Sequence, residues 1–184
     1  MKKTVTTFLA SLFVLAGFAQ FKDSDYNRLT DLKGTDQVLA SVQPWAKAGV
    51  SSPHFLLFIN TTTGEHKRIE FPRGAYIDHI EQLKLDTLNI NRVIVTGYTI
   101  NPDNDKSIDW NDPRQITIFS IDGKEQVKIT DDNFYARFWT LNRQTGVLVI
   151  SGRIDSNGNG KLDKNDKAEI LLYDLKQMKQ LTKL

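Results

Sequence analysis

The chain repeats itself at an interval of 54 residues, and this repeat constrains the fold more than any other feature of the sequence. The aligned positions keep their apolar, aromatic or Asp/Asn character. Three pairs of segments align without a gap: 92–101 with 146–155, 107–112 with 161–166, and 115–119 with 169–173. The two halves of this alignment are therefore expected to form the same supersecondary unit twice.

A third, weaker copy lies upstream. Residues 38–41 resemble the first apolar run of the two later copies, and residues 55–58 resemble the second run. The connection between these runs is six residues shorter than in the later copies. We therefore divide the chain into three units, at about 26–71, 76–130 and 134–184, within one domain that covers 20–184.

The local signals inside a unit are those of β-strands. Runs such as 147–150 and 170–173 are short, rich in β-branched or aromatic residues, and bounded by Gly, Asn and Asp. No segment shows a sustained apolar period of 3.6 residues, which a surface helix would require. The sequence predicts an all-β protein made of three four-stranded antiparallel units, with a β sandwich or barrel as the alternative.

A unit of this kind, which ends in a pattern such as that of residues 119–130, resembles the blades of TolB-type and WD40-like β-propellers. Propellers close with about four to eight blades, whereas only three units are present here. An open stack of three units would leave two apolar flanks exposed. A two-fold dimer that supplies six blades would cover them, as would docking on a larger partner. A curled β sandwich or barrel that is not a propeller would need neither.

The strongest chemical motif is the loop at residues 155–166, called the third-unit loop below. Oxygen-bearing side chains stand at loop positions 1, 3, 5, 9 and 12, Gly160 stands at position 6, and position 7 offers a backbone carbonyl. The loop resembles an EF-hand calcium loop of the dockerin type. Its predicted ligands are Asp155, Asn157, Asn159, Lys161 through its carbonyl, Asp163 and Asp166. The flanks read as strands instead of helices, and an Asn-Gly hairpin turn without an ion is the alternative.

The second-unit loop, at residues 101–112, repeats this register by the same shift. Asn101 replaces the first Asp, and Lys106 replaces the glycine at position 6. The four carboxylates of this loop would repel one another without a counter-ion. Its predicted ligands are Asn101, Asp103, Asp105, Ser107, Asp109 and Asp112, and a degenerate loop that keeps only its shape is the alternative. The first-unit loop at 44–53 has lost its acids and is expected to bind nothing.

The position of the two acidic loops within their units suggests what a bound calcium ion would do. Each acidic loop joins the second and third strands of its unit, so that an ion would fix the hairpin register. Leu162, at position 8, is expected to pin the third-unit loop to the core. With three carboxylates, this loop suits the weak affinities of extracellular modules, about 10⁻⁴ to 10⁻³ M. The expected cofactor is therefore structural Ca²⁺.

The N-terminus indicates export. Lys2 and Lys3 precede an apolar run that ends in small residues, as in a secretory signal peptide, which we place at 1–19. Phe18 stands where a lipoprotein would carry its lipidated cysteine, so no membrane anchor is expected. The mature chain then carries equal numbers of basic and acidic residues and no basic cluster, which argues against nucleic-acid binding. The expected location is secreted or periplasmic.

Motifs of catalysis are missing from the sequence. It contains no nucleophile elbow, P-loop, zinc-protease helix motif or dinucleotide fingerprint, and it has no cysteine. His54, His66 and His79 lie at unrelated spacings and are expected to be surface or strand residues. We therefore expect a non-enzymatic protein that binds a protein or glycan partner. The alternatives are a carbohydrate-binding accessory module that uses Trp110, and a hydrolase whose pocket forms on dimerisation.

Overall fold

The computed structural model describes residues 28–41, 55–105 and 107–184. The predicted signal peptide at 1–19, the first-unit loop at 44–53 and Lys106 lie outside these residues. Within them the protein is all-β, as predicted, and forms three four-stranded antiparallel sheets, none of which closes into a barrel. No helix in this part of the chain has the length and hydropathy needed to cross a membrane.

Each sheet is a simple meander of four consecutive strands. The strands of the first sheet are β1 (Arg28–Asp31), β2 (Gln37–Ser41), β3 (Phe55–Asn60) and β4 (His66–Glu70). The strands of the middle sheet are β5 (Tyr76–Leu85), β6 (Ile90–Tyr98), β7 (Arg114–Ser120) and β8 (Gln126–Lys128). The strands of the third sheet are β9 (Phe134–Asn142), β10 (Val147–Ile154), β11 (Lys167–Asp174) and β12 (Lys179–Lys183). A single 3₁₀ turn, Asp86–Leu88, joins β5 to β6.

The middle sheet is buried on both faces. Val93 and Val95 of β6 point into an apolar cluster shared with the first sheet, and Ile94 between them points into a second cluster shared with the third sheet. This alternation follows from the two-residue period of a strand. Because both faces are covered, the centre of β6 at residues 93–95 is a continuous apolar run, which is typical of a strand at the centre of a stack.

The outer face of the third sheet carries exposed apolar side chains. Phe138 is 76% exposed, and Leu184, whose backbone pairs with that of Ile170, is 72% exposed. This face is one of the two flanks that the three-unit arrangement leaves without a further sheet among the described residues.

The meander places both acidic loops in equivalent positions. The second-unit loop joins β6 to β7, and the third-unit loop joins β10 to β11. Since the middle and third sheets pack face to face, the two loops emerge from neighbouring sheets and come into contact.

Truncation of Leu148, whose side chain is fully buried between the middle and third sheets, tests this stacking. We expect Leu148→Ala to lower the free energy of unfolding by about 2–5 kcal/mol, because it leaves a cavity in the shared core. Urea denaturation followed by circular dichroism measures this loss. The matched control is Leu181→Ala on β12, where the side chain is 46% exposed and the expected change is within about 0.5 kcal/mol. Equal effects of the two substitutions would contradict the stacking of the sheets.

Candidate calcium loops

The third-unit loop curls around the carboxylate of Asp155. This side chain is buried, and its Oδ1 accepts hydrogen bonds from the backbone N–H groups of Asn157 at 3.2 Å and Gly158 at 2.7 Å. The N–H of Asn159 also reaches Oδ1, at 3.3 Å, while Oδ2 accepts from the N–H of Gly160 at 2.7 Å. Four backbone donors therefore converge on one side chain at loop position 1. A buried carboxylate needs such donors to offset the loss of its hydration.

Asp166 ties the other end of the loop. It is buried too, and its two carboxylate oxygens accept from the N–H groups of Ser156 at 3.2 Å and Asp163 at 2.7 Å. Its backbone carbonyl accepts from Nη2 of Arg153 on β10 at 2.6 Å. Positions 1 and 12 thus hold the loop closed from both ends.

Three of the predicted ligand side chains meet at one point inside this closed loop. The Nδ2 groups of Asn157 and Asn159 donate to Oδ2 of Asp163, at 3.0 Å and 2.9 Å. The N–H of Asn165 donates to the other carboxylate oxygen at 2.6 Å. The pKa of Asp163 is lowered by these donors, first by the Asn165 N–H and then by the two amides. The side chains at positions 3 and 5 therefore hydrogen-bond to the carboxylate at position 9.

The second-unit loop has the same hydrogen-bond pattern at its acidic end. Oδ2 of Asp112 accepts from the N–H of Asp109 at 2.7 Å, as Asp166 accepts from Asp163. Oδ1 of Asp109 accepts from the N–H of Asn111 at 2.7 Å, as Asp163 accepts from Asn165. These bonds lie 54 residues apart in the chain, so the repeat extends to the conformation of the loop.

The same correspondence holds at the start of the loop. Oδ1 of Asp103 accepts from the N–H of Asp105 at 3.2 Å, and Oδ1 of Asp105 accepts from the N–H of Ser107 at 3.0 Å. The third-unit loop makes both bonds through its two asparagines. At position 4, Asn104 has a φ of 53° where Gly158 has 69°. An Asn tolerates this left-handed conformation better than most residues, so the backbone keeps its path.

Asn101 marks the difference between the two loops. Its Nδ2 donates to the carbonyl of Asp105 at 3.3 Å, while its Oδ1 is buried without a hydrogen-bond partner among the described residues. A buried, unpaired carbonyl oxygen is costly unless a donor or a cation satisfies it. It stands at loop position 1, where calcium would take an oxygen ligand.

Asp112 shows the effect of crowding these carboxylates together. It is only 3% exposed, and its pKa is raised, first by burial and then by the charges of Asp103, Asp109 and Asp105. The N–H of Asp109 opposes this rise in pKa only in part. A cation inside the loop would relieve the repulsion that raises the pKa.

The two loops touch at Gly160 and Asp103. A Cβ added at Gly160 would lie 3.0 Å from both the Cα and the N atom of Asp103, and the φ of Gly160 is 72°. Glycine is therefore required at this position for two reasons: the positive φ of the backbone and the close approach of the neighbouring loop. Gly160, at position 6 of the third-unit loop, thus lies against the backbone of Asp103, a predicted ligand in the second-unit loop.

Tyr135 on β9 faces the carboxylates of both loops. Its side chain is buried, and its hydroxyl has no hydrogen-bond partner in the described part of the chain. Burial raises the pKa of Tyr135 to about 12, with further contributions from Asp155, Asp166, Asp112 and Asp103 in that order. The ring lines a cavity of about 210 Å³ together with Asp155 and Gly160. The two loops and Tyr135 form one acidic region.

The donors of both loops suit a hard cation. Within the described residues, no group of three or more His, Cys, Asp or Glu side chains is close enough to hold a metal. The predicted ligand sets combine carboxylates with amide and backbone carbonyl oxygens, as calcium loops do. The buried Oδ1 of Asn101, which has no hydrogen-bond partner among the described residues, is the structural observation that fits such a set.

The structure also shows where Leu162, two of the three histidines and Trp110 lie. Leu162 is 38% exposed, so the prediction that it pins the loop to the core was wrong. His66 lies on exposed β4 and His79 on β5, where its ring contacts Glu81 at 3.1 Å, while His54 lies outside the described residues. Trp110 is 70% exposed, and its ring makes T-shaped contacts with the rings of Tyr76 and Tyr98. The sequence pattern contained no signal for Tyr135 or for these tyrosines, because their contacts join different segments of the fold.

Comparisons with known proteins give little further information. No protein-family model matches the chain, and no curated protein matches it. An acylaminoacyl peptidase of Pyrococcus horikoshii, solved in an orthorhombic crystal form, is similar in structure at 12% sequence identity and a TM-score of 0.43. The match covers 85% of this chain and 24% of the peptidase chain. At this level of likeness, the match bears on neither the fold nor the activity.

Alanine substitutions at two glycines distinguish two destabilising effects: strain in the backbone, and a collision between the two loops. Gly158 and Gly160 have φ angles of 69° and 72°, but only Gly160 has a neighbour within reach of a Cβ. We expect Gly158→Ala to cost about 1–2 kcal/mol of unfolding free energy from strain alone. Gly160→Ala should cost about 1–3 kcal/mol more, because its methyl group collides with Asp103. Chemical denaturation measures both values, and equal costs would show that the loops are not in contact.

Proposed function

We propose that the chain is a secreted calcium-binding β-repeat protein that does not act as an enzyme, and whose ions stabilise loops for interaction with a protein or ligand. The observation that carries this proposal is the shared hydrogen-bond register of the two acidic loops. A loop that had kept only its length would have no reason to preserve the Asx turns at positions 3, 5 and 9.

The ligands follow from loop position. In the third-unit loop, Asp155, Asn157, Asn159, the Lys161 carbonyl, Asp163 and Asp166 would hold the ion. In the second-unit loop, the same positions are Asn101, Asp103, Asp105, the Ser107 carbonyl, Asp109 and Asp112. Bound Ca²⁺ would supply positive charge to carboxylates that otherwise repel one another. In the third-unit loop, the hydrogen bonds to Asp155 and Asp166 already hold the loop closed from positions 1 and 12.

The expected role of the ion is to stabilise the folded state. A ligand that binds only the folded state stabilises it by about 2.7 kcal/mol when its concentration is 100 times its dissociation constant. Weak affinity, of about 10⁻⁴ to 10⁻³ M, would suffice in an extracellular compartment. This agrees with the signal peptide expected at 1–19, and the proposed location is therefore secreted or periplasmic.

Position 9 of each loop offers a matched test by calcium calorimetry. We expect wild type to bind two ions, and Asp109→Ala and Asp163→Ala to bind one each, because each substitution removes a ligand carboxylate from one loop. Asp86→Ala removes an exposed carboxylate outside both loops and should leave two ions bound. Circular dichroism confirms that each variant is folded. If wild type releases or absorbs no heat at millimolar calcium, the proposal is wrong.

Thermal unfolding provides the second test. At a calcium concentration 100 times the dissociation constant, each occupied site should raise the melting temperature by about 5–10 °C. Chelation should reverse the rise, and Mg²⁺ should give much less, since it demands tighter octahedral geometry. A melting temperature that is the same with calcium and with chelator would contradict structural calcium even if the ion binds elsewhere on the surface.

A further inference from the structure

Three aromatic rings meet beside the second-unit loop. Tyr76 on β5 pairs with Tyr98 on β6, and Trp110 stands between two predicted ligands of the loop. The ring centroid of Trp110 lies 5.1 Å from that of Tyr76 and 5.5 Å from that of Tyr98. The interplanar angles are 60° and 73°, so each tyrosine is strongly inclined to the indole. We call this group the aromatic box.

The aromatic box borders a small cavity. This cavity has a volume of about 180 Å³ and is lined by the three rings together with Gly74, Ile108 and Asp109. Sites for drug-sized ligands measure about 300–1,000 Å³, so this one suits a compact head group. Trp110 is 70% exposed and Tyr76 38% exposed, which leaves ring surface accessible to a ligand from solvent.

The surroundings of the box are anionic. Asp109 lines the cavity itself, and Asp103, Asp105 and Asp112 lie in the same loop. These four carboxylates outweigh the charge of Lys106 together with that of one bound calcium ion, so the loop stays net negative in either state. On the other side, the carboxylate of Asp78 is paired with the guanidinium of Arg114 at 2.6 Å, so the net negative charge beside the box comes from the loop. Such a field favours a cation over a neutral or anionic ligand.

We propose that Trp110, Tyr76 and Tyr98 form a binding site for an alkylated ammonium group, of the kind carried by choline or methylated lysine. A cation is attracted to the face of an aromatic ring within about 6 Å of its centroid. The centroids of Tyr76 and Tyr98 both lie within 6 Å of that of Trp110, and a cation in the cavity that the three residues line would be adjacent to all of them. A fully alkylated ammonium has no N–H to satisfy, so rings and one carboxylate form a complete set of partners for it.

This site goes beyond the proposed calcium role, because the two tyrosines lie on strands and their positions do not require an ion. Calcium in the second-unit loop would still affect the site, since Asp109 and Asp112 flank Trp110 in sequence. Binding of the ammonium group is therefore tested both with calcium and with chelator, so that the two proposals can fail separately.

The experiment is a titration of the isotopically labelled protein with choline chloride, followed by nuclear magnetic resonance at the indole N–H signals. The signal missing from Trp110→Ala identifies Trp110. We expect it to shift saturably with choline, and about tenfold or more weakly with 3,3-dimethyl-1-butanol, the neutral analogue of choline. Sodium chloride at equal ionic strength is the salt control. An equal response to choline and its neutral analogue would overturn the proposal.

Variants locate the site. By calorimetry, Trp110→Ala and Tyr76→Leu should each weaken choline binding by about tenfold or more. Phe138→Ala, which removes another highly exposed aromatic ring, should leave binding unchanged. If only Phe138→Ala loses choline binding, the site lies at Phe138 and not at the aromatic box, and the assignment is overturned.

Two further arms identify the source of the group. Co-sedimentation with phosphatidylcholine vesicles but not with phosphatidylglycerol vesicles would indicate a lipid head group, whereas binding of choline without co-sedimentation would indicate a soluble ligand. Either result supports the site. If the Trp110 signal shifts with neutral glucose oligomers and not with choline, the box is a carbohydrate site and the proposal is wrong. If choline binds but calcium does not, only the proposed calcium function fails.

Discussion

Burial of both faces of the middle sheet is the constraint on which the rest of the structure depends. Alternate side chains of β6 enter two different cores, so a one-residue slip in the pairing of β6 with β5 or β7 would move apolar groups to the wrong face of the sheet. The core that β6 and β7 share with β10 and β11 then fixes these four strands relative to one another. The two loops that these strands carry are therefore set side by side by packing, before any ion is considered.

The loops then meet a requirement that packing alone cannot satisfy. Asp112, Asp155 and Asp166 are buried carboxylates, and a buried charge needs hydrogen bonds or an opposite charge. Backbone N–H groups provide part of this compensation in both loops. What remains, among the described residues, is an unpaired amide oxygen at Asn101 and an unpaired hydroxyl at Tyr135, together with burial and repulsion that raise the pKa of Asp112. Calcium in the loops would supply the missing positive charge.

The sequence predicted the all-β class and the three four-stranded sheets, because a repeat of strand-forming runs without helical period leaves few alternatives. It also aligned the two loops in the register that their hydrogen bonds now share. It did not predict the contact of Gly160 with Asp103, the position of Tyr135 or the meeting of Trp110 with two tyrosines. These contacts join different units or strands, whereas a sequence repeat predicts only the structure within each unit. The prediction for Leu162 was wrong because its side chain is 38% exposed, and an apolar residue in a surface loop does not have to reach the core.

The most direct measurement is a crystal structure of the mature chain grown in millimolar calcium, with data collected at a wavelength where calcium scatters anomalously. The account predicts two anomalous peaks, one inside each acidic loop, with Asp109 and Asp163 as corresponding ligands. It also predicts that Oδ1 of Asn101 will coordinate the ion in the second-unit loop. Well-ordered loops without a peak in either of them would contradict the account and leave both motifs as polar turns.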